Sequence, residues 1–292
     1  MDQQEPTRCC FDHAGAYSAT ESCGDTTVPT SNFSAPNRIS LCVSANLRRW
    51  RLCRSASVAA ICWARLAAAY RPFDGTDADV AHPGEVELEI GPAGYRQAGP
   101  SRFIVAPAVV ANYGFAPRFE AVLEGRQDIQ LKAAQHPWQV QGVAFSIKTL
   151  LKRGSLQKET GLSIALEMGA LLPGFESRLG AHVASIFSLQ SPAFTLHLNL
   201  ANDIFYSVRY KASTSLILEG PDRWLLRPVS EILVEREFGQ GAFSDGLAES
   251  MLIGGIARWT AAVSFDAGGR FARANGRHEE EIRAGLTWSF EP

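Results

Sequence analysis

The sequence predicts an all-β fold: a transmembrane antiparallel up-and-down β-barrel of about 12 strands. Three observations predict it. From Glu85 onward, apolar residues recur at every second position in segment after segment, which is the period of a β-strand. Turn-forming residues separate those segments, with no helical stretch between them. The positions between the apolar ones carry Gly, Ser, Ala and paired charges, whereas the outer face of a soluble sandwich carries Lys, Glu and Thr.

The segments can be taken in order. Val86, Leu88 and Ile90 alternate with Glu85, Glu87 and Glu89, and Phe119, Ala121 and Leu123 with Glu120, Val122 and Glu124. Val143, Phe145 and Ile147 face away from Ala144, Ser146 and Lys148. Leu162, Ile164, Leu166 and Met168 oppose Ser163, Ala165, Glu167 and Gly169. Between Phe194 and Leu200 every apolar residue is even-numbered. Tyr206, Val208 and Tyr210 are read as opposing Ser207, Arg209 and Lys211 on one strand. Arg227, Glu231 and Glu235 belong to a polar face alternating with positions such as Ile232 and Val234, and Val263, Phe265 and Ala267 oppose Ser264, Asp266 and Gly268. The last segment has one fully apolar face, Ile282, Ala284, Leu286, Trp288 and Phe290, and one polar face, Arg283, Gly285, Thr287 and Ser289. Breakers are expected at Gly91-Pro92, Ala116-Pro117, Pro173-Gly174, Ser191-Pro192, Gly220-Pro221-Asp222, Gly239 to Gly246 and Asn275-Gly276. In a membrane, the polar face lines a hydrated interior and closure leaves no unpaired backbone edge in lipid. Tyr113, Trp224, Trp259 and Trp288, at strand ends, suit an interfacial aromatic girdle.

Composition narrows the class. A formal net charge of -2, without a basic stretch in the second half, argues against nucleic acid as a partner. No run of eighteen apolar residues is present, which argues against a spanning helix. All six cysteines lie before residue 63, and a cysteine-free body suits passage through an oxidising periplasm. Residues 1–46 mix Ser, Thr, Asp, Cys and Pro without a period and are expected to be disordered or translated from an upstream start. Residues 47–69 join a basic cluster (Arg48, Arg49, Arg51, Arg54) to a short apolar stretch and small residues, the pattern of a secretory signal cut before Tyr70. Arg65 interrupts that stretch, and an Ala-rich amphipathic helix is the alternative. Residues 70–292 are then the barrel. Setting residues 1–69 aside leaves 21 Lys and Arg against 25 Asp and Glu, a mildly acidic body.

Several stretches resemble a known family. Arg71 to Asp79, running into Gly84 to Glu89, is similar to the opening of the mature chain in a family of outer-membrane barrels described as transporters of the meta-pathway of phenol degradation. Tyr113 to Glu120 resembles its second hairpin, Trp224 to Glu235 and Leu252 to Gly255 its late strands, and Ala284 to Phe290 its closing strand. The chain departs from that pattern in its N-terminal extension and in Glu291 and Pro292, which follow the closing aromatic. The resemblance implies passive movement of small, in that family aromatic, compounds across the outer membrane of a Gram-negative bacterium. It also implies two partners besides the permeant: the lipid bilayer, and the barrel-assembly machinery reading Trp288 and Phe290.

On this reading Glu87, Glu120, Lys148, Glu167, His197, Arg209, Arg227, Glu231 and Asp266 face the lumen, where charges set local fields for a permeant or simply keep the interior hydrated. No catalytic residue is expected. His182 and Ser185 invite comparison with barrel hydrolases, but three residues apart on a strand they point to opposite faces. His82, His136 and His278 are read as loop residues without ligand spacing, and Asp74, Asp77 and Asp79 lack the Gly and Glu of a calcium loop, so neither metal nor cofactor is expected. Gly239 to Ser244 is Gly-rich but has no strand-to-helix setting for a phosphate. Two other readings remain open: a structural outer-membrane barrel that conducts nothing, and a soluble secreted β-barrel that binds a small ligand.

Overall fold

The computed structural model describes residues 72–132, 137–174, 179–206, 209–239 and 246–292. The disordered extension, the secretory signal, its cut at Tyr70 and His136 all lie outside the described residues. Within them are twelve strands: β1 (Val86–Ala98), β2 (Ser101–Ala116), β3 (Phe119–Gln130), β4 (Trp138–Lys152), β5 (Ser163–Leu171), β6 (Gly180–Gln190), β7 (Thr195–Phe205), β8 (Arg209–Glu219), β9 (Leu226–Phe238), β10 (Gly246–Arg258), β11 (Val263–Ala274) and β12 (Arg277–Phe290). Each is antiparallel to its chain neighbours, and β1 pairs with β12, from Val86 opposite Phe290 to Ala98 opposite Glu279, closing the sheet. The fold is the closed up-and-down barrel that the alternation predicts, and closure satisfies every strand edge internally.

The two faces are inverted relative to a soluble protein. On β4, Phe145 and Ile147 are 46% and 41% exposed, while the intervening Ser146 and Lys148 are 3% and 1% exposed. On β12, Ile282 and Trp288 lie outside and Arg283, Thr287 and Ser289 inside. Large apolar residues pointing outward around a polar interior are what a sheet needs when its surroundings are lipid and its centre is wet.

One rim, here the terminal end, carries Val86, Phe119, Leu226, Val263 and Phe290, and the other, the distal end, carries Ala98, Trp138, Phe205, Arg209 and Phe238. Tyr113, Trp224, Trp259 and Trp288 are all exposed and all near the terminal end, where Trp259 packs edge-on to Phe265 and Trp288 tilts against Phe290. Trp138, Tyr206 and Phe271 are exposed towards the distal end. At that end Asn275 and Gly276, with φ of 49° and 79°, close a two-residue hairpin between β11 and β12. Both positions need a left-handed backbone, which Asn tolerates and Gly adopts freely.

Three expectations need correction. Gly91-Pro92 is not a turn: it lies within β1, where the register against β12 jumps between Ile90 and Ala93. Proline has no N–H to offer the ladder, so it is accommodated in a bulge, and the chain turns instead at Gly99-Pro100. Neighbouring irregularities, at Val105/Ala108 against β3 and Glu124/Arg126 against β4, continue this disturbance across the wall. Residues Tyr206 to Lys211 are not one strand, because β7 ends at Phe205 and β8 begins at Arg209. His278 is not in a loop but pairs with Arg273 at the start of β12.

Candidate functional site

The interior of the barrel is partly filled by its own N-terminal segment. Residues 72–85 precede β1 and have no period of two, so they build no strand. Their backbone groups are satisfied instead by inward side chains of distant strands. Arg283 on β12 donates from Nη1 to the Pro72 carbonyl (2.8 Å) and to Asp74 Oδ1 (2.9 Å). The Asp74 and Gly75 N–H groups donate to the two carboxylate oxygens of Glu231 on β9, at 2.8 and 2.9 Å. Asn199 on β7 accepts from the Thr76 N–H (3.2 Å) and donates to the Thr76 carbonyl (2.9 Å). The Ala78 N–H donates to Ser188 on β6 (2.9 Å), and the Ala81 N–H to Glu120 on β3 (2.5 Å). The segment thus starts at mid-height beside Arg283, crosses the lumen and leaves at the terminal end, where Gly84 and Gly114 bond in turn to the backbones of Gly114 and Glu85.

Packing fixes this path as firmly as polarity. Ala78 is fully buried against Ala165, Ala184 and Ile186. A Cβ at Gly75 would stand 2.8 Å from Ser215 Oγ, and a Cβ at Gly114 would overlap the backbone carbonyls of Ala81 and His82. Asp74 carries the electrostatic part. Burial raises its carboxyl pKa, but Arg283 and Arg270, 2.9 and 3.3 Å away, outweigh that and hold it at about 2. Asp74 is engaged by arginines, Asp77 accepts the Asp79 N–H (2.6 Å) and Asp79 accepts from Gln157 (2.9 Å), so this acidic trio serves internal bonding.

The predicted lumen residues fall into four groups. Glu120, Lys148, His197, Glu231 and Glu87 lie in the terminal half, buried with the segment or beside it. Lys148 is 3.1 Å from Glu120, and Ser289 donates to Glu87 (2.9 Å). His197 Nδ1 is 2.8 Å from Ser188 Oγ and its Nε2 is 3.3 Å from Glu219. Serine, histidine and glutamate in that chain suggest a hydrolase, but Ser188 has no exposed surface and its oxygen accepts the Ala78 N–H, so the chain braces β6, β7 and β8 under the segment. Arg227 sits at the terminal rim, 3.0 Å from Glu219 and 3.1 Å from Asp222. Glu167 and Arg209 border the open space above, Glu167 accepting from Ser146 and Arg209 paired with Glu237. Asp266 is buried on β11. Trp288 and Phe290 pack against each other, their rings tilted, on the outer face at the terminal end.

Three adjoining cavities lie beside the segment among the described residues. One of about 370 Å³ lies against the bulged wall of β1 to β4 and reaches Arg126, Glu281 and Arg283. One of about 410 Å³ lies across the lumen, lined by His182, Asp203, Arg209, Lys211 and Glu235. A third, about 220 Å³, runs beside the N-terminal segment down to Glu120 and Lys148. Glu124 and Asp74 border all three. Among the described residues no grouping of His, Cys, Asp and Glu is arranged to hold a metal. Arg283, Asn199, Ser188 and Glu124 are not among the residues expected from the sequence to line the lumen, although alternation puts Arg283 and Glu124 on polar faces; their standing depends on the segment inside the barrel and on the cavities beside it.

No protein-family model and no curated protein sequence matches the chain. Solved structures do. The COG4313 outer membrane channel from Pseudomonas putida F1 superposes with a TM-score of 0.56 at 8% identity, over 75% of this chain and 100% of that one. The KdgM porin gives a TM-score of 0.46 at 9% identity, over 70% of this chain and 99% of that one. At such identities the likeness is one of fold, that of an outer-membrane barrel.

Proposed function

We propose that residues 70–292 form an outer-membrane channel of a Gram-negative bacterium that passes small molecules passively. Residues 47–69 act as the secretory signal, and residues 1–46 take no part in the fold. The observation that carries this reading is the pairing of an apolar outer wall with three adjoining polar cavities inside a closed barrel. An apolar wall places the barrel in lipid, and a hydrated interior offers a way through it. Glu87, Glu120, Lys148, Glu167, His197, Arg209, Arg227, Glu231 and Asp266 provide the charged and polar lining, and Trp288 with Phe290 is read by the assembly machinery. Small aromatic compounds are the proposed permeant, on the resemblance of Arg71 to Phe290 to the phenol-pathway family. The apolar patch of Phe73, Val105, Val109 and Val110 in the cavity beside β1 and β2 gives such a ring a surface to lie on.

The test is fractionation of a Gram-negative host expressing the full reading frame, then reconstitution in planar bilayers. Export with an N-terminus near Tyr70, faster gel migration before heating and discrete conductance steps are expected. A heat-modifiable outer-membrane product without conductance supports a structural barrel instead. A product that stays in the aqueous fraction overturns the membrane reading.

A further inference from the structure

The charges around the cavities do not cancel. Five lysines and arginines line them, and each is committed to carboxylates. Arg283 holds Asp74 and Glu281, Arg126 lies 3.4 Å from Asp128, and Lys148 lies 3.1 Å from Glu120. Lys211 is shared between Asp203 (3.0 Å) and Glu235 (3.3 Å), and Arg209 is paired with Glu237. His182 leans on Asp203 at 2.6 Å. Two of the lining carboxylates, Glu167 and Glu124, stand outside the ion pairs of the described residues. Glu167 accepts a hydrogen bond from Ser146. Glu124, on β3, is exposed although it points inward, and it borders all three cavities. Asp74 is the other residue common to all three linings, and its charge is held by Arg283 and Arg270.

We infer that this barrel passes cations in preference to anions, and that Glu124 is the residue that sets the preference. The inference deepens the channel reading and rests on it. An ionised carboxylate at the junction of narrow, low-dielectric-walled spaces concentrates counter-ions and repels anions over the same stretch. Arg96, Arg126, Arg270 and Arg283 do not offset it, because their charge is engaged by Asp128, Asp74, Glu279 and Glu281. A permeant with an ammonium group is therefore favoured over its carboxylate counterpart.

The experiment is the reversal potential of the full-length protein in planar bilayers under a potassium chloride gradient at about pH 8, where the lumen carboxyl groups are ionised. It compares wild type with Glu124→Gln and with Glu159→Gln, a loop carboxylate outside the cavities. Wild type is expected to prefer potassium. Glu124→Gln is expected to lower the permeability ratio roughly five-fold, the factor that one unit charge at about 4 Å supplies in water-like surroundings. Glu159→Gln should match wild type. Conductance that prefers chloride, or a ratio unmoved by Glu124→Gln, overturns the inference and leaves the channel reading intact. Absence of wild-type conductance overturns both. Gel heat-shift reports whether each variant assembles; should Glu124→Gln fail to, a wild-type ratio at or below unity still overturns the inference.

Discussion

The two halves of the lumen are built from the same strands but solve different problems. In the terminal half, Lys148, Glu120 and Glu231 are almost wholly buried and spend their charges holding backbone or one another. In the distal half, Lys211, Glu235, Arg209 and Glu237 form comparable pairs whose side chains keep about a third of their surface open. The difference teaches that an ion pair's role follows its hydration. Dry pairs are structural and costly to break, whereas wet pairs tune a field.

That contrast can be broken or sharpened by measurement. Removing residues 72–82 should do most, turning the filled half into an open one and raising single-channel conductance several-fold; unchanged conductance would mean that ions do not pass the segment. Next comes Lys148→Met, which leaves Glu120 buried without its partner. A loss of about 3–5 kcal/mol in denaturant unfolding is expected, and a loss below 1 would show the terminal half to be wet after all. Third is acidification. Asp74 is held at about 2 in the folded protein against an ordinary 3.8. Its contribution is therefore complete above about pH 4 and disappears as pH falls through that interval towards 2, with roughly 2 kcal/mol at stake. Protease access to the segment should rise over that range, and Asp74→Asn should show the higher access already at pH 7. Smallest is Glu235→Gln in the distal half, expected to cost no more than about 1 kcal/mol. A cost equal to that of Lys148→Met would erase the distinction.

Strands were legible in the sequence because each carries its burial in its own period: Phe145 and Ile147 out, Ser146 and Lys148 in. The same signal misled at Tyr206 to Lys211, where β7 and β8 share the same odd-even parity. It misled again at Gly91-Pro92, since a bulge and a turn use the same residues. The N-terminal segment left no periodic trace at all. Its bonds join Gly75 to Glu231 and Thr76 to Asn199, across separations of 156 and 123 residues, between backbone donors and side chains that alternation could only sort as polar. For the same reason the sequence marks Glu124 as inward but not as unpaired, because partners follow from register.

The segment's path also bears on how strand order and stagger are enforced during assembly. Its anchors lie on β12, β9, β7, β6 and β3, so they come within reach together only after the sheet has curled and its two edge strands have met. A slip of two residues at that seam would preserve every side chain's facing, yet carry Arg283 about 7 Å from Asp74, too far for their bond. The residues ahead of β1 therefore act as a gauge of closure: only one stagger of the seam lets all of their bonds form.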